Sequence, residues 1–133
     1  MAKTVFQYPM FGRTYPVYFR VSAYSDASLA VLLESADEEE YGTPFCDVTK
    51  CVGGVELGEY HALVKNYSEN ESMIDFLVSN GFGELDGRSV QSGYVQMPVF
   101  RFNKDRLKEL ASAGCARYEQ AFEKRQKKLA RKG

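Results

Sequence analysis

The chain has no tryptophan, one histidine and three cysteines in 133 residues. A single histidine, His61, is too few to build a zinc cluster from the usual Cys and His spacings. The cysteines, Cys46, Cys51 and Cys115, are odd in number and do not suggest a disulfide framework. Cys46 and Cys51 stand five apart, so on one regular strand they face opposite sides, which is poor geometry for a shared metal. All three are read as reduced thiols packing as small hydrophobes. No metal site and no cofactor are expected. Hydrophobic runs are short, and none approaches the roughly 20 apolar residues of a membrane span. The opening stretch, MAKTVFQYPMFGRTYP, has no apolar leader core, so a secretory signal is not expected and a cytoplasmic location is. Phosphate loops are missing as well. Gly81-Phe82-Gly83 and Gly53-Gly54 lack the Lys-Ser/Thr partner that a phosphate cradle needs.

What is present is the composition of one globular domain. Hydrophobic residues make up 44%, enough for a real core, and the 14% of aromatics are all Tyr and Phe, which favour half-buried sheet surfaces. Residues 15–35 organise the rest. Val17, Phe19, Val21 and Ala23 alternate with Tyr18, Arg20, Ser22 and Tyr24, a period of two that predicts a strand. Leu29, Val31 and Leu33 continue the pattern after the polar break at Ser25-Asp26, so a long β-hairpin is predicted. Residues 4–10 read as a short strand that Pro9 holds to a sheet edge. Further strands are predicted at 45–52, 60–65 and 94–102, with a loop or ragged hairpin over 82–93.

Two helices are predicted. Ser68 and Glu71 form a capping-box pattern ahead of a stripe of Met73, Ile74, Leu77 and Val78, with Gly81 as the left-handed cap after Asn80. Asn103 caps a second helix with Leu107, Leu110 and Ala111 on its apolar face. Gly114 is expected to end or kink it, and residues 115–132 to resume as a basic helical segment. The expected fold is α+β: an antiparallel sheet of five or six strands, one helix packed on a face, and a C-terminal helical segment. Residues 1–112 are taken as a single domain and 113–133 as a basic helical extension.

Charge is unevenly spread. Residues 1–103 hold 7 Lys and Arg against 14 Asp and Glu, a net −7, and residues 104–133 hold 10 against 4, a net +6. Such asymmetry marks interaction segments in some chains and solvated faces in others. Two clusters are candidate sites. The acidic run Asp37, Glu38, Glu39 and Glu40, with Glu34, Asp47, Glu56 and Glu59, could imitate a phosphate ladder. The basic run Lys124, Arg125, Lys127, Lys128, Arg131 and Lys132 could clamp nucleic-acid phosphate, although no aromatic alternates with it in sequence. A third candidate is an aromatic face carrying Tyr18 and Tyr24, unless Tyr118 and Phe122 cover it. Catalytic candidates are sparse. His61 could act as a base and Cys46 or Cys51 as a nucleophile, but nothing in the sequence orients such a pair. Asp47, Glu56 and Glu59 read more simply as solvated charges than as an acid–base pair.

Several stretches occur together in order: Phe11-Gly12-Arg13-Thr14-Tyr15-Pro16-Val17-Tyr18, Ser28-Leu29-Ala30-Val31, Ile74-Asp75-Phe76-Leu77 through Asn80-Gly81, Gly87-Arg88 through Ser92-Gly93-Tyr94, and Met97-Pro98-Val99-Phe100-Arg101-Phe102. Over residues 11–110 they resemble a family of small uncharacterised proteins encoded on bacterial conjugative elements and prophages. The resemblance implies a mobile-element setting and carries no catalytic motif. The expectation is therefore a non-enzymatic binding protein that contacts a host or mobile-element protein complex. In that role it would inhibit or modulate host defence, in the manner of an anti-CRISPR protein, or nucleic-acid processing. The alternative is a nucleic-acid-binding accessory protein acting through its basic helix. No membrane partner is expected, because the apolar face of that helix is thin.

Overall fold

The alternation around Val17 becomes a strand, β2 (Arg13–Ala23), paired antiparallel with β3 (Leu29–Ser35). The computed structural model describes residues 4–52, 55 and 57–132, without the side chain of Lys132. In β2 and β3, Val17, Phe19 and Val21 are buried beside Leu29, Val31 and Leu33, so the predicted inner face is the inner face. The edge strand β1 (Phe6–Met10) pairs with the first half of β2, where Pro9 sits on the sheet's rim. On the far side β4 (Pro44–Asp47) pairs with β3, completing a sheet of order β1-β2-β3-β4.

A second antiparallel sheet has the order β5-β6-β8-β7, from β5 (Thr49–Lys50), β6 (His61–Val64), β7 (Gly83–Ser92) and β8 (Val95–Phe102). The fold is α+β, but the expected single sheet of five or six strands is corrected to two sheets of four. The reason lies at Val48. The β-branched residues of 45–52 read as one strand, yet Val48 turns the chain from one sheet into the other. Its N–H donates to Val31 O on β3 at 2.9 Å, while its carbonyl accepts from Lys65 N–H, just past β6, at 2.9 Å. The buried Thr49 hydroxyl oxygen then accepts the Val31 N–H at 2.9 Å, so that donor is not stranded at the corner.

Strand β7 is one arm of the ragged hairpin expected over 82–93, with β8 as the other. Residues 82–93 are polar and glycine-rich because β7 is an edge strand with little to bury, and it is held to β8 by backbone pairing. Its register slips between Leu85 and Ser89, where the Asp86 carboxylate accepts from the Arg88 N–H at 2.8 Å.

Both helices differ from the sequence pattern at one point. The expected helix over 68–80 is a single 3₁₀ turn (Ser68–Asn70) followed by α1 (Met73–Ser79). Ser68 has φ of 59°, which is incompatible with the extended backbone of a capping box. The turn is held by tertiary contacts instead: Asn70 Nδ2 donates to Asp47 O at 2.6 Å, and Tyr8 OH donates to Glu69 O at 2.8 Å. Phe76 joins Met73 and Leu77 in the core, whereas Val78 is exposed. The far end is as expected. Gly81 has φ of 78°, its N–H bonds Val78 O, and Phe82 N–H bonds Leu77 O, a Schellman cap.

The last helix, α2 (Lys104–Lys132), is capped by Asn103, whose Oδ1 accepts the Arg106 N–H at 3.2 Å. Its non-helical break falls at Ala111, not Gly114. Gly114 serves another purpose. A Cβ built there would lie 2.0 Å from Val21 O, so glycine lets the helix rest on the backbone of β2. Leu107, Cys115 and Tyr118 are fully buried in the core that both sheets and α1 share.

Candidate functional site

The acidic run hangs from the end of β3. Ser35 N–H bonds Thr43 O and Gly42 N–H bonds Ser35 O, each at 2.9 Å, which closes residues 36–42 into a tight loop. The Asp37 carboxylate accepts the Glu39 N–H at 3.0 Å and fixes the turn from within. Asp37, Glu38, Glu39 and Glu40 are all exposed. Beneath them the loop covers Tyr18. Its ring packs on Tyr41 at 5.4 Å between centroids, and its OH donates to Glu34 Oε1 at 2.8 Å. At 5% exposure Tyr18 is therefore not a docking aromatic. The acidic loop covers it, while Tyr118 packs against Tyr60 and Phe122.

The basic run lies on the last turns of α2. Lys124, Lys127, Lys128 and Arg131 are exposed. Lys127 is paired with Glu123 at 3.1 Å. Arg125 is half-buried and donates to the carbonyl of Asp26 at 2.5 Å, which ties the helix to the turn between β2 and β3. Asp26 is itself locked. Its Oδ1 accepts from the Ser28 N–H and hydroxyl, and its Oδ2 from the Cys51 thiol at 3.2 Å. Burial pulls its carboxyl up, but those hydrogen bonds and the Arg125 charge outweigh burial and hold it below the ordinary carboxylate value. The side chain of Lys132 lies outside the described residues, as do Glu56 and Gly53-Gly54.

The two charged clusters are not brought together. The acidic loop leaves β3 after Ser35, and the basic helix end is bonded to Asp26, before Leu29. Six residue steps along β3 separate those ends by about 20 Å. Sequence reasoning missed what faces the basic residues. The turn residues Tyr24, Ser25 and Asp26 and the helix residues Lys124, Arg125 and Lys128 line a groove of about 560 Å³. Tyr24 and Lys124 are 100 positions apart, so only the β2–β3 turn's contact with α2 reveals it. Tyr24 is held there by its OH, which donates to Thr49 O at 2.9 Å.

The remaining candidates stand apart from one another. His61 has Nδ1 at 3.0 Å from Glu59 O, and the cavity beside it encloses about 40 Å³, roughly one water. Cys115 is buried, Cys46 half-buried and Cys51 exposed. Desolvation, with Glu69 and Asp47 nearby, pushes the Cys46 thiol up to about 12. Burial also raises Cys115, and burial with the Asp26 hydrogen bond raises Cys51. All three are poor thiolates, hence poor nucleophiles. Asp47 and Glu59 are both exposed. Among the described residues no group of three or more His, Cys, Asp or Glu side chains could hold a metal ion, and no helix is long and apolar enough to cross a membrane.

A family model for a domain of unknown function, DUF4313, matches residues 19–122, and the chain belongs to that family. No curated protein and no solved structure matches it.

Proposed function

We propose that this DUF4313 chain is a non-enzymatic binding protein of a mobile genetic element, and that it modulates a host defence or nucleic-acid-processing complex by direct contact. The observation that carries this reading is the placement of opposite charge. Four exposed carboxylates, Asp37 to Glu40, sit on a closed loop at one end of the β2–β3 hairpin. Exposed cations on α2 sit at the other end, tied down through Arg125. A packed hairpin holds the two sets about 20 Å apart, a fixed spacing that a complementary surface can read. Charges so placed act on the encounter and its orientation, whereas bond-making needs converging groups that exclude water.

The test is affinity capture from the natural host with three proteins: wild type, Asp37–Glu40 changed to Ser, and Lys124, Lys127 and Lys128 changed to Ser. All the altered side chains are exposed, and a serine hydroxyl at position 37 can still accept the Glu39 N–H, so the thermal midpoint should stay within a few degrees of wild type. The expected result is one discrete complex retained by wild type and lost from each variant. A wild-type protein that retains nothing, or the same complex on all three proteins, refutes the proposal.

A further inference from the structure

We propose that the groove between the β2–β3 turn and the end of α2, with the cationic stripe that borders it at Lys124 and Lys128, binds the backbone of a single nucleic-acid strand. This rests on the reading above that the end of α2 is a contact surface, and names what it contacts. Arg117, Lys124, Lys128 and Arg131 recur at steps of seven, four and three residues, so they share one face of the helix. All four are exposed, and among the described residues none of them forms an ion pair. The helix acids Glu119 and Glu123 lie off this stripe. Glu119 is engaged by Tyr60 and Lys108, and Glu123 by Lys127. From Arg117 to Arg131 the stripe is about 21 Å long at 1.5 Å per residue, enough to follow several phosphates.

The groove supplies what the stripe lacks. Its roughly 560 Å³ is the size of a small-ligand cleft, and Tyr24 forms part of its wall opposite Lys124 and Lys128. An aromatic wall beside a row of cations is the pairing used for unpaired strands, where a base rests on a ring while phosphates follow the charges. The acid nearest the groove, Asp26, is occupied by Ser28 and Cys51 and offset by the adjacent Arg125. A duplex, with its bases stacked inward, could use the stripe but not the ring.

The experiment is fluorescence anisotropy with the full chain and a labelled 20-nucleotide oligo-dT strand, from 50 to 200 mM salt. Four phosphate contacts on a single strand give a log–log salt slope near −2.8, so affinity should fall about 50-fold over that range. Lys124→Ser with Lys128→Ser should halve the slope. Tyr24→Leu should weaken binding several-fold with the slope unchanged. The Asp37–Glu40 serine variant should bind the strand as well as wild type, so the inference can fail while the protein-contact reading stands. No binding at 50 mM salt overturns it. An unchanged slope in the lysine variant, with its helical circular dichroism intact, does so too, as does a 20-base-pair duplex that competes better than the single strand.

Discussion

Gly114→Ala tests whether the basic helix is seated on the sheet as described. In an isolated helix the change stabilises, since alanine exceeds glycine by about 1 kcal/mol. Here the new Cβ would meet Val21 O at 2.0 Å, far inside contact distance, and the neighbouring atoms are Val21 backbone and Cβ, which cannot swing aside. Overpacking of this kind costs about 3 kcal/mol at the upper end of its usual range. Subtracting the propensity gain leaves a net loss of about 2 kcal/mol. For 133 residues the unfolding entropy is about 0.28 kcal/mol/K, so the thermal midpoint should fall by about 7 °C. Differential scanning calorimetry reads this directly, with the reverse substitution Ala116→Gly, at an exposed helix site, as a control that should lose only the propensity term of about 1 kcal/mol. A variant at position 114 as stable as wild type, or more so, would show that α2 does not rest on β2. The groove and the fixed spacing of the two charged ends would go with it.

Three further outcomes follow from named contacts. Hydrogen bonds from Lys65, at 2.5 Å, from the backbone and from Ser68 lower the Glu69 carboxyl to about 2 from an unfolded value near 4.5. The folded value is the depressed one, so this contribution is complete above about pH 4.5 and is lost as pH falls toward 2. The urea midpoint should decline through that window, less so in Glu69→Gln, and identical slopes would refute the assignment. Ellman's reagent at pH 8 should titrate the Cys51 thiol slowly, and all three thiols only after unfolding, because Cys46 and Cys115 are shielded; fast native reaction of two or more would contradict the burial. Tyr60→Phe removes the 2.6 Å bond to Glu119, a bond to a charged group worth about 1.5–3 kcal/mol; chemical denaturation showing no loss would mean the pair is not formed.

Local pattern carried far in this chain where one face is buried and the other wet. The β2–β3 hairpin, the Gly81 cap and the Asn103 cap follow from residues within a few positions of each other. It failed where a distant partner decided the outcome. Ser68 and Glu71 look like a capping box, but Asn70 is drawn to Asp47 and the helix starts later. Strand β7 could be read only as a loop or a ragged hairpin arm, because an edge strand with little to bury leaves no period of two in its hydrophobicity.

From the residues alone came the α+β class, the acidic body, the basic tail and the two charged clusters, since composition and short-range periodicity are local properties. The fold had to decide that there are two sheets, because a bend at Val48 is set by partners on β3 and beside β6. Only the fold, too, could place the acidic loop and the basic helix at opposite ends of one hairpin and bring Tyr24 beside Lys124. Such proximity comes from the docking of α2 on β2, a contact between segments that lie about a hundred residues apart.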